Sequence, residues 1–323
     1  MATTGIEGLR RIGRAAAGGV LALLAACADP AGTPAAGGDG TARAPAVFDV
    51  AGGRFLGEEA LWRRLAAAEF VMLGETHDNP EHHRLQARIV RELAARPPGV
   101  GAVAFEMLTV DRQPLVDRML TGPDADLRAF AEAVGWEESG WPDFAIYEPV
   151  FAAALESGAR VLAADLASGT TRRIRRDGFA ALDPELVRRT GLDRPLPPDL
   201  EAGLRDTLAR AHCDRLPARM LPGLLRVQRA RDAMMADRLA GFRGRGRVVL
   251  ITGNGHARRD WGVPYYLRRM VPQRTVVSVG LVERVGGRER ELAREPFDIL
   301  WLTGAPGHRR GDPCDAVGGA TGG

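Results

Sequence analysis

The chain has 323 residues, and its 44 basic and 41 acidic side chains leave a formal net charge of only +3. Arginine supplies all of these basic charges, and no basic run with interleaved aromatic residues occurs, so we expect no nucleic-acid partner. The length and the 45% hydrophobic content suit one large domain with insertions.

Residues 1–27 are typical of a bacterial lipoprotein signal peptide. Three arginines precede the apolar residues 15–26, a run that is too short to span a bilayer. Leu24-Ala-Ala-Cys27 then matches the lipobox, in which the cysteine thiol carries lipid after cleavage. The alternative is an ordinary signal peptide with an incidental cysteine. We predict that Cys27 anchors the protein on the periplasmic side of the outer membrane or at the cell surface.

Two segments lack the side chains needed for a packed core. Residues 28–45 and 304–323 are rich in small and turn-forming residues, and they predict a flexible tether and a disordered tail. The folded domain is therefore predicted to span residues 46–303. Cys213 and Cys314 could pair in the periplasm, but the tail position of Cys314 does not favour a disulfide.

The hydrophobic pattern of the domain predicts an α/β fold. Apolar runs predict six strands, at residues 70–73, 102–105, 160–164, 247–251, 275–281 and 297–302. Residues 80–95 have helical periodicity, with Asn79 as a plausible N-cap. This alternation predicts a mostly parallel sheet flanked by helices. Helical insertions at about 107–159 and 167–245 are predicted to form a lobe over the C-terminal strand edge.

Polar side chains follow four of the predicted strands at the point where each strand ends. They are Glu75 and His77, then Glu106, then Asp165, and finally Asn254 and His256. The carboxyl ends of parallel strands meet at one sheet edge, where open α/β sheets bind ligands. Such a concentration of acids and imidazoles is costly unless the charges are paired or bind a ligand.

Two of these elements share the pattern Gly-x-x-His, ending at His77 and His256. A single turn histidine often does no more than bond a backbone carbonyl. Two such histidines beside Glu75 and Glu106 favour a functional site, either catalytic or metal-binding. Two imidazoles with one or two carboxylates suit zinc, manganese, iron or cobalt, and the spacing does not choose among them.

Further residues are candidates for supporting roles. Gln228 and Asp232 lie one turn apart on a predicted helix and could support the site together with Asn254 and Asp165. The aromatic insertion around Tyr147 could pack the lobe or form a wall for a flat apolar ligand. A tyrosine oxygen can bind ferric iron, as is known for haem.

The ordered set of motifs resembles the ChaN family of haem-binding lipoproteins. The matching segments are Gly74-Glu-Thr-His-Asp-Asn79 with His82-His83, Phe105-Glu-Met107, residues 141–147, Gln228-x-x-x-Asp232-x-x-Met235-Ala236 and Gly253-Asn-Gly-His256. This family belongs to the wider superfamily of Tiki proteases and erythromycin esterases. Asp165 departs from the resemblance, which has asparagine at this strand end.

The resemblance implies a surface-anchored protein of haem or iron uptake that holds haem, in some members between two subunits of a homodimer. Tyr147, Tyr265 and His83 are the candidate haem-binding residues. In the wider superfamily the two Gly-x-x-His elements and acids like Glu75 and Glu106 form a metal-dependent hydrolytic site.

Three hypotheses therefore remain open from the sequence. The first is a haem-binding lipoprotein. The second is a metal-dependent hydrolase of peptides, esters or lactones, in which Glu75 or Glu106 is the general base for a metal-bound water. The third is a scaffold that retains these residues without activity.

Overall fold

The computed structural model describes residues 46–242, 244–284 and 289–305. These residues form one sheet of strands β1 (Ala46–Asp49), β2 (Arg54–Leu56), β3 (Phe70–Glu75), β4 (Val100–Thr109), β5 (Arg160–Asp165), β6 (Arg247–Gly253), β7 (Val276–Glu283) and β8 (Ile299–Thr303). The helices are α1 (Glu58–Ala66), α2 (Pro80–Ala94), α3 (Gln113–Met119), α4 (Leu127–Ala133), α5 (Phe144–Glu156), α6 (Thr170–Asp177), α7 (Pro184–Thr190), α8 (Pro198–Ala211), α9 (Leu221–Gly241), α10 (Asn254–Ala257) and α11 (Val263–Met270).

Some predictions concern residues outside the described ranges. They are the signal peptide with Cys27, the tether, and residues 306–323 of the tail with Cys314. Cys213 lies within the described part and is disulfide-bonded, which the sequence did not favour. No helix in residues 46–242, 244–284 or 289–305 is both long and apolar enough to cross a membrane.

All six predicted strands are confirmed as β3 to β8, and the α/β class is confirmed with them. The strand order is β2-β1-β8-β7-β3-β6-β4-β5. Strands β3 to β8 pair in parallel, whereas β1 and β2 extend one edge as antiparallel strands. The sequence prediction missed β1 and β2, because both are very short and β2 is largely exposed.

The strand order explains why residues far apart in the chain converge. Strand β6 lies between β3 and β4, with Glu75 opposite Gly253 and Phe105 opposite Ile251. Strand β3 also pairs with β7 on its other side. The chain connections from the strands around β3 therefore run toward both edges of the sheet. Such a reversal opens a crevice at the carboxyl ends of the strands, which is the usual ligand position in open α/β sheets.

The sheet is buried on both faces, as continuous apolar strands require. Along β3, Val71 and Leu73 pack into the core that contains residues of α1, α2 and α5, whereas Phe70 and Met72 join the core with residues of α6, α7, α9 and α11. The two predicted insertions thus supply α5 on one face and α9 on the other. Both helices carry polar side chains to the strand ends, as described below.

The predicted helix after β3 is confirmed as α2. Its N-cap is Asn79, whose side-chain oxygen accepts the Glu81 backbone N–H at 2.9 Å. Asn79 and Pro80 begin the helix shortly after β3 ends. His82 and His83 in the first turn of α2 therefore lie close to the carboxyl end of this strand.

Candidate functional site

The carboxyl ends of four neighbouring strands bring together the acids and imidazoles that the sequence singled out. We define the strand-end site as Glu75, His77, Glu106, Asp165 and His256. Glu75 and Asp165 end strands β3 and β5, His77 and His256 follow β3 and β6, and Glu106 lies within β4 where its register with β5 shifts. The site divides into two hydrogen-bonded groups, which we call the Glu75 cluster and the Glu106 cluster.

The Glu75 cluster consists of Glu75, His77, His83 and Tyr147. Oε1 of the fully buried Glu75 carboxylate lies 3.0 Å from His77 Nδ1 and accepts the Tyr147 hydroxyl at 3.2 Å. Its Oε2 lies 3.1 Å from His83 Nδ1. One carboxylate thus orients two imidazoles and one phenol.

The second nitrogen of His83 is also occupied. His83 Nε2 lies 2.9 Å from the His77 carbonyl oxygen, and its Nδ1 lies 3.2 Å from Gln86 Oε1 in addition to its contact with Glu75. Acceptor oxygens at both ring nitrogens favour the doubly protonated imidazolium. His83 therefore serves as a buried counter-charge to Glu75.

The ionisable groups of the Glu75 cluster stabilise one another's charged forms. Burial opposes ionisation of Glu75, but His83 and the hydrogen bond with His77 outweigh it and hold the pKa of Glu75 below its usual value. Burial likewise opposes protonation of both histidines, but Glu75 raises the pKa of His83 and, helped by Glu106, that of His77. The cluster behaves as a stabilised ion network and not as three independent groups.

His77 is the member of the Glu75 cluster that solvent reaches, with 38% of its side chain exposed. Because Nδ1 donates to Glu75, the lone pair of the neutral ring resides on Nε2, which has no hydrogen-bond partner among the described residues. Trp141 packs edge-on against the ring, with 4.9 Å between centroids. His77 therefore combines an oriented ring with a side chain that is partly open to solvent.

The absence of a side chain at Gly253 makes room for His77. A Cβ at this position would lie 2.8 Å from both Cε1 and Nε2 of His77. Since Gly253 has an extended φ of −66°, alanine fits the backbone, and the conflict is with the ring alone.

We therefore expect Gly253→Ala to fold and to displace the His77 ring. The overpacking should lower the free energy of unfolding by about 1–3 kcal/mol. The ring signals of His77 in NMR spectra should shift, while those of His212, an exposed residue just after α8, should not. Unchanged His77 signals would contradict this close contact.

Arg231 holds the Glu106 cluster together. Its Nη2 donates to Glu106 Oε1 and to Asp165 Oδ2, both at 2.8 Å, and its Nε donates to both oxygens of Asp165 at 3.0 Å. Glu106 Oε2 also accepts the hydroxyl of Thr252 at 2.5 Å and the N–H of Gly253 at 2.7 Å. The acid at position 165, which departs from the family resemblance, is thus a counter-ion of Arg231.

His256 joins this cluster through Asp232. Its Nδ1 lies 2.6 Å from Asp232 Oδ1, and its Nε2 lies 3.1 Å from Arg231 Nη1 and 3.3 Å from Glu106 Oε1. The amide of Gln228 lies 3.0 Å from Nδ1 of His256. Gln228 and Asp232, which the sequence analysis proposed as supporting residues, thus both contact His256.

The cluster contains charges of both signs on largely buried side chains. Burial opposes ionisation of Glu106, but His256 and Arg231 hold its pKa far below the usual value. Burial raises the pKa of Asp232 to about 6, although His256 and Arg231 oppose this shift. Burial lowers the pKa of His256, but Glu106 and Asp232 outweigh it and raise the value overall.

These contacts revise the predicted metal site of Glu75, His77, Glu106 and His256. The guanidinium of Arg231 already neutralises Glu106, and Glu75 is engaged by two histidines. Across residues 46–242, 244–284 and 289–305, no group of three or more His, Cys, Asp or Glu side chains is arranged to hold a metal ion. Arg231, which the sequence analysis did not single out, provides the positive charge that stabilises the clustered acids.

Four other predicted residues take different roles from those expected. Tyr147 and His83 are fully buried supports of Glu75, so neither side chain can reach a haem placed in the crevice. Tyr265 packs against Arg269 and beside the small core cluster around Trp261. The Asn254 amide donates to the Leu281 carbonyl at 2.7 Å, which fixes the start of α10 to β7.

The aromatic insertion packs the core, and some of its rings also line a cavity. Trp136 and Tyr147 are buried and pack together with 5.1 Å between ring centroids, as simple core packing requires. Trp141 and Phe144 are partly exposed and line a cavity of about 950 Å³. Its lining also includes Arg128 and five acids, namely Glu132, Glu137, Glu138, Asp143 and Glu148. This lining disfavours anionic groups.

Comparisons with known proteins agree with the fold and the motifs. The family model described as haem-binding uptake, Tiki superfamily, ChaN matches residues 61–267, which include every residue of the strand-end site. Among curated proteins, none matches the chain significantly.

Of three similar solved structures, the first shows the same fold. A structure described as cofacial haem binding to ChaN of Campylobacter jejuni is 20% identical, covers 81% of this chain and 97% of that chain, and has a TM-score of 0.65. The type III effector HopBA1 is 12% identical over 76% of this chain and 92% of that chain, with a TM-score of 0.41. An erythromycin esterase mutant in its open conformation is 14% identical over 80% of this chain and 81% of that chain, with a TM-score of 0.39.

Proposed function

Since the chain belongs to the haem-binding uptake family ChaN of the Tiki superfamily, we propose that it binds haem and takes part in iron uptake. The observation that carries this proposal is the family match over residues 61–267, which contain the whole strand-end site. The site also contains an imidazole, a residue type that holds haem iron in other proteins, on the partly exposed side chain of His77 beside the ring of Trp141.

A hemin titration of the purified protein tests this function. We expect saturable binding with a shifted Soret band, and a stoichiometry that sedimentation can relate to the oligomeric state. Haem binding that accompanies formation of a dimer would agree with the arrangement that the resemblance implies. Hemin that stays at its free-solution spectrum at all protein concentrations would refute haem binding.

The proposal includes membrane attachment through lipid on Cys27, at the periplasmic side of the outer membrane or at the cell surface. The lipobox Leu24-Ala-Ala-Cys27 supports it. Labelling of cells with radioactive palmitate should mark the wild-type protein and not Cys27→Ser, and the variant should leave the membrane fraction. Equal labelling of both proteins would contradict attachment at this cysteine.

A hydrolase is the second candidate, and the two histidine–carboxylate pairs favour it. Haem binding alone requires neither the His256–Asp232 pair nor its contact with Arg231. Because Glu106 is neutralised by Arg231, the general base of this hypothesis is His77 Nε2, oriented by Glu75.

In this reaction His77 Nε2 would take a proton from water while the water oxygen attacks the carbonyl carbon of an ester, lactone or peptide. Collapse of the adduct would break the bond to the leaving group, which receives that proton from His77. The sum is addition of one water across the cleaved bond. Assays of such substrates without hemin, with and without a metal chelator, test it, and His77→Ala should abolish turnover. A wild-type protein that cleaves no substrate of these classes would count against this candidate.

A further inference from the structure

The two helical insertions of the domain carry opposite charges. Residues 107–159 contain ten acids and three arginines, a formal charge of −7, whereas residues 167–245 contain seventeen arginines and ten acids, a formal charge of +7. The first insertion packs through Phe151 into the core on one face of the sheet, and the second packs through Ile174 into the core on the other face. The domain therefore has an acidic side and a basic side, although the net charge of the chain is only +3.

Helix α6 concentrates positive charge on the surface of the second insertion. It buries Thr170 and Ile174, and it exposes four arginines that we define as the arginine face, namely Arg172, Arg173, Arg175 and Arg176. Arg176 pairs with Asp177, whereas the other three contact no carboxylate among the residues that the structure describes. Like charges three and four residues apart on a helix repel one another, and an anionic surface would relieve this repulsion.

The first turn of α9 extends the arginine face. Arg226 Nη2 donates to the Arg175 carbonyl at 3.3 Å, and Arg226 Nε is shielded from solvent without a hydrogen-bond partner in the described part of the chain. A Cβ at Gly223 would lie 3.4 Å from Cγ of Arg175, so the two helices touch here. Met220, three residues before Gly223, is 40% exposed. Cations beside an exposed apolar side chain are the combination that suits the interface of an anionic membrane.

We propose that the arginine face, with Arg226 and Met220 beside it, docks the domain on an anionic phospholipid surface. The guanidinium groups bind the headgroup phosphates, and the methionine enters the boundary between headgroups and acyl chains. The same surface repels the acidic first insertion on the opposite face of the sheet. The docked domain therefore has one favoured orientation, with the second insertion against the membrane and the first directed away from it.

This docking depends neither on haem binding nor on lipid at Cys27. A lipid anchor holds a chain at the membrane without deciding which side of the domain faces it. The opposite charges of the two insertions make that choice. The two properties can therefore be tested separately.

Vesicle sedimentation tests the proposal with the chain from Ala28 onward, which keeps every described residue and lacks both Cys27 and the predicted signal peptide. Wild type should bind vesicles of phosphatidylcholine mixed with phosphatidylglycerol much more tightly than vesicles of phosphatidylcholine alone, and high salt should remove the difference. In Arg172→Gln/Arg173→Gln/Arg175→Gln the affinity for the mixed vesicles should fall by roughly 100-fold, since each arginine near an anionic surface contributes about fivefold.

The matched control is Arg112→Gln/Arg118→Gln/Arg128→Gln, which removes the same charge from the three exposed arginines of the first insertion. It should bind the mixed vesicles as wild type does, because these arginines lie on the acidic side. Thermal melts should show that both triple variants remain folded, since all six side chains are exposed.

Two results would overturn the proposal. Equal affinities of the two triple variants for the mixed vesicles would show that the arginine face is not the docking surface. Self-association of wild type at low salt that Arg172→Gln/Arg173→Gln/Arg175→Gln loses, without binding to vesicles, would assign the face to the acidic insertion of a second copy instead. Neither result bears on hemin binding or on labelling at Cys27, which have their own tests.

Discussion

Arg231→Met is expected to lower the free energy of unfolding by about 3–5 kcal/mol, because it leaves buried acids without their cation. The guanidinium is only 20% exposed and bonds both Glu106 and Asp165, which are themselves nearly inaccessible to solvent. Methionine matches the length of the side chain but brings no charge. Urea unfolding at neutral pH measures the difference.

The reason for this loss can be isolated by a second substitution. Glu106→Gln in the Arg231→Met background removes one uncompensated charge, so the double variant should be more stable than Arg231→Met alone. Arg188→Met is the matched control, since Arg188 forms an exposed ion pair with Glu185 and its loss should leave the free energy of unfolding almost unchanged. Equal stabilities of Arg231→Met and Arg188→Met would show that Arg231 does not stabilise the Glu106 cluster.

The position of Arg231 illustrates how far sequence reasoning extends. The apolar runs and the Gly-x-x-His pattern located Glu75, His77, Glu106 and His256, because parallel strands necessarily align their carboxyl ends. Gln228 and Asp232 were also placed correctly on a helix face near the site. Arg231 precedes Asp232, and the requirement for a cation beside three acids was the signal that could have identified it.

Other features depend on packing that a single sequence does not reveal. Arg247 begins strand β6, yet its guanidinium is buried and donates to the carbonyls of Ala66, Arg96 and Pro97 near the ends of α1 and α2. Similarly, nothing in the spacing of Tyr147 distinguishes a buried hydroxyl bonded to Glu75 from an exposed haem ligand. Strand and helix patterns predict which face a residue occupies, but burial of a polar group depends on partners from distant segments.

Glu75→Gln should strongly change the pH dependence of the free energy of unfolding. In the wild type the pKa values of His77 and His83 are raised above 6.5. The stability that these two groups contribute is therefore fully present below pH 6.5 and is lost as the pH rises through their folded-state values. Glu75 has a lowered pKa, so its contribution is present above pH 4.5 and is lost as the pH falls through its folded-state value.

Glutamine keeps the shape of Glu75 and removes its charge, so the burial that opposes protonation of both histidines is no longer outweighed. We expect the variant to lose about 3–5 kcal/mol of stability near pH 6, where the wild-type ion network is complete. Its stability should also decline less above pH 6.5, where the contribution of His256 remains. Urea unfolding from pH 4 to 9 and the nitrogen chemical shifts of His83 measure both effects. Glu156→Gln, which breaks only the exposed ion pair with Arg91, should retain the wild-type profile. If Glu75→Gln also retained that profile, and His83 stayed protonated at neutral pH, the carboxylate would not be the group that charges these imidazoles.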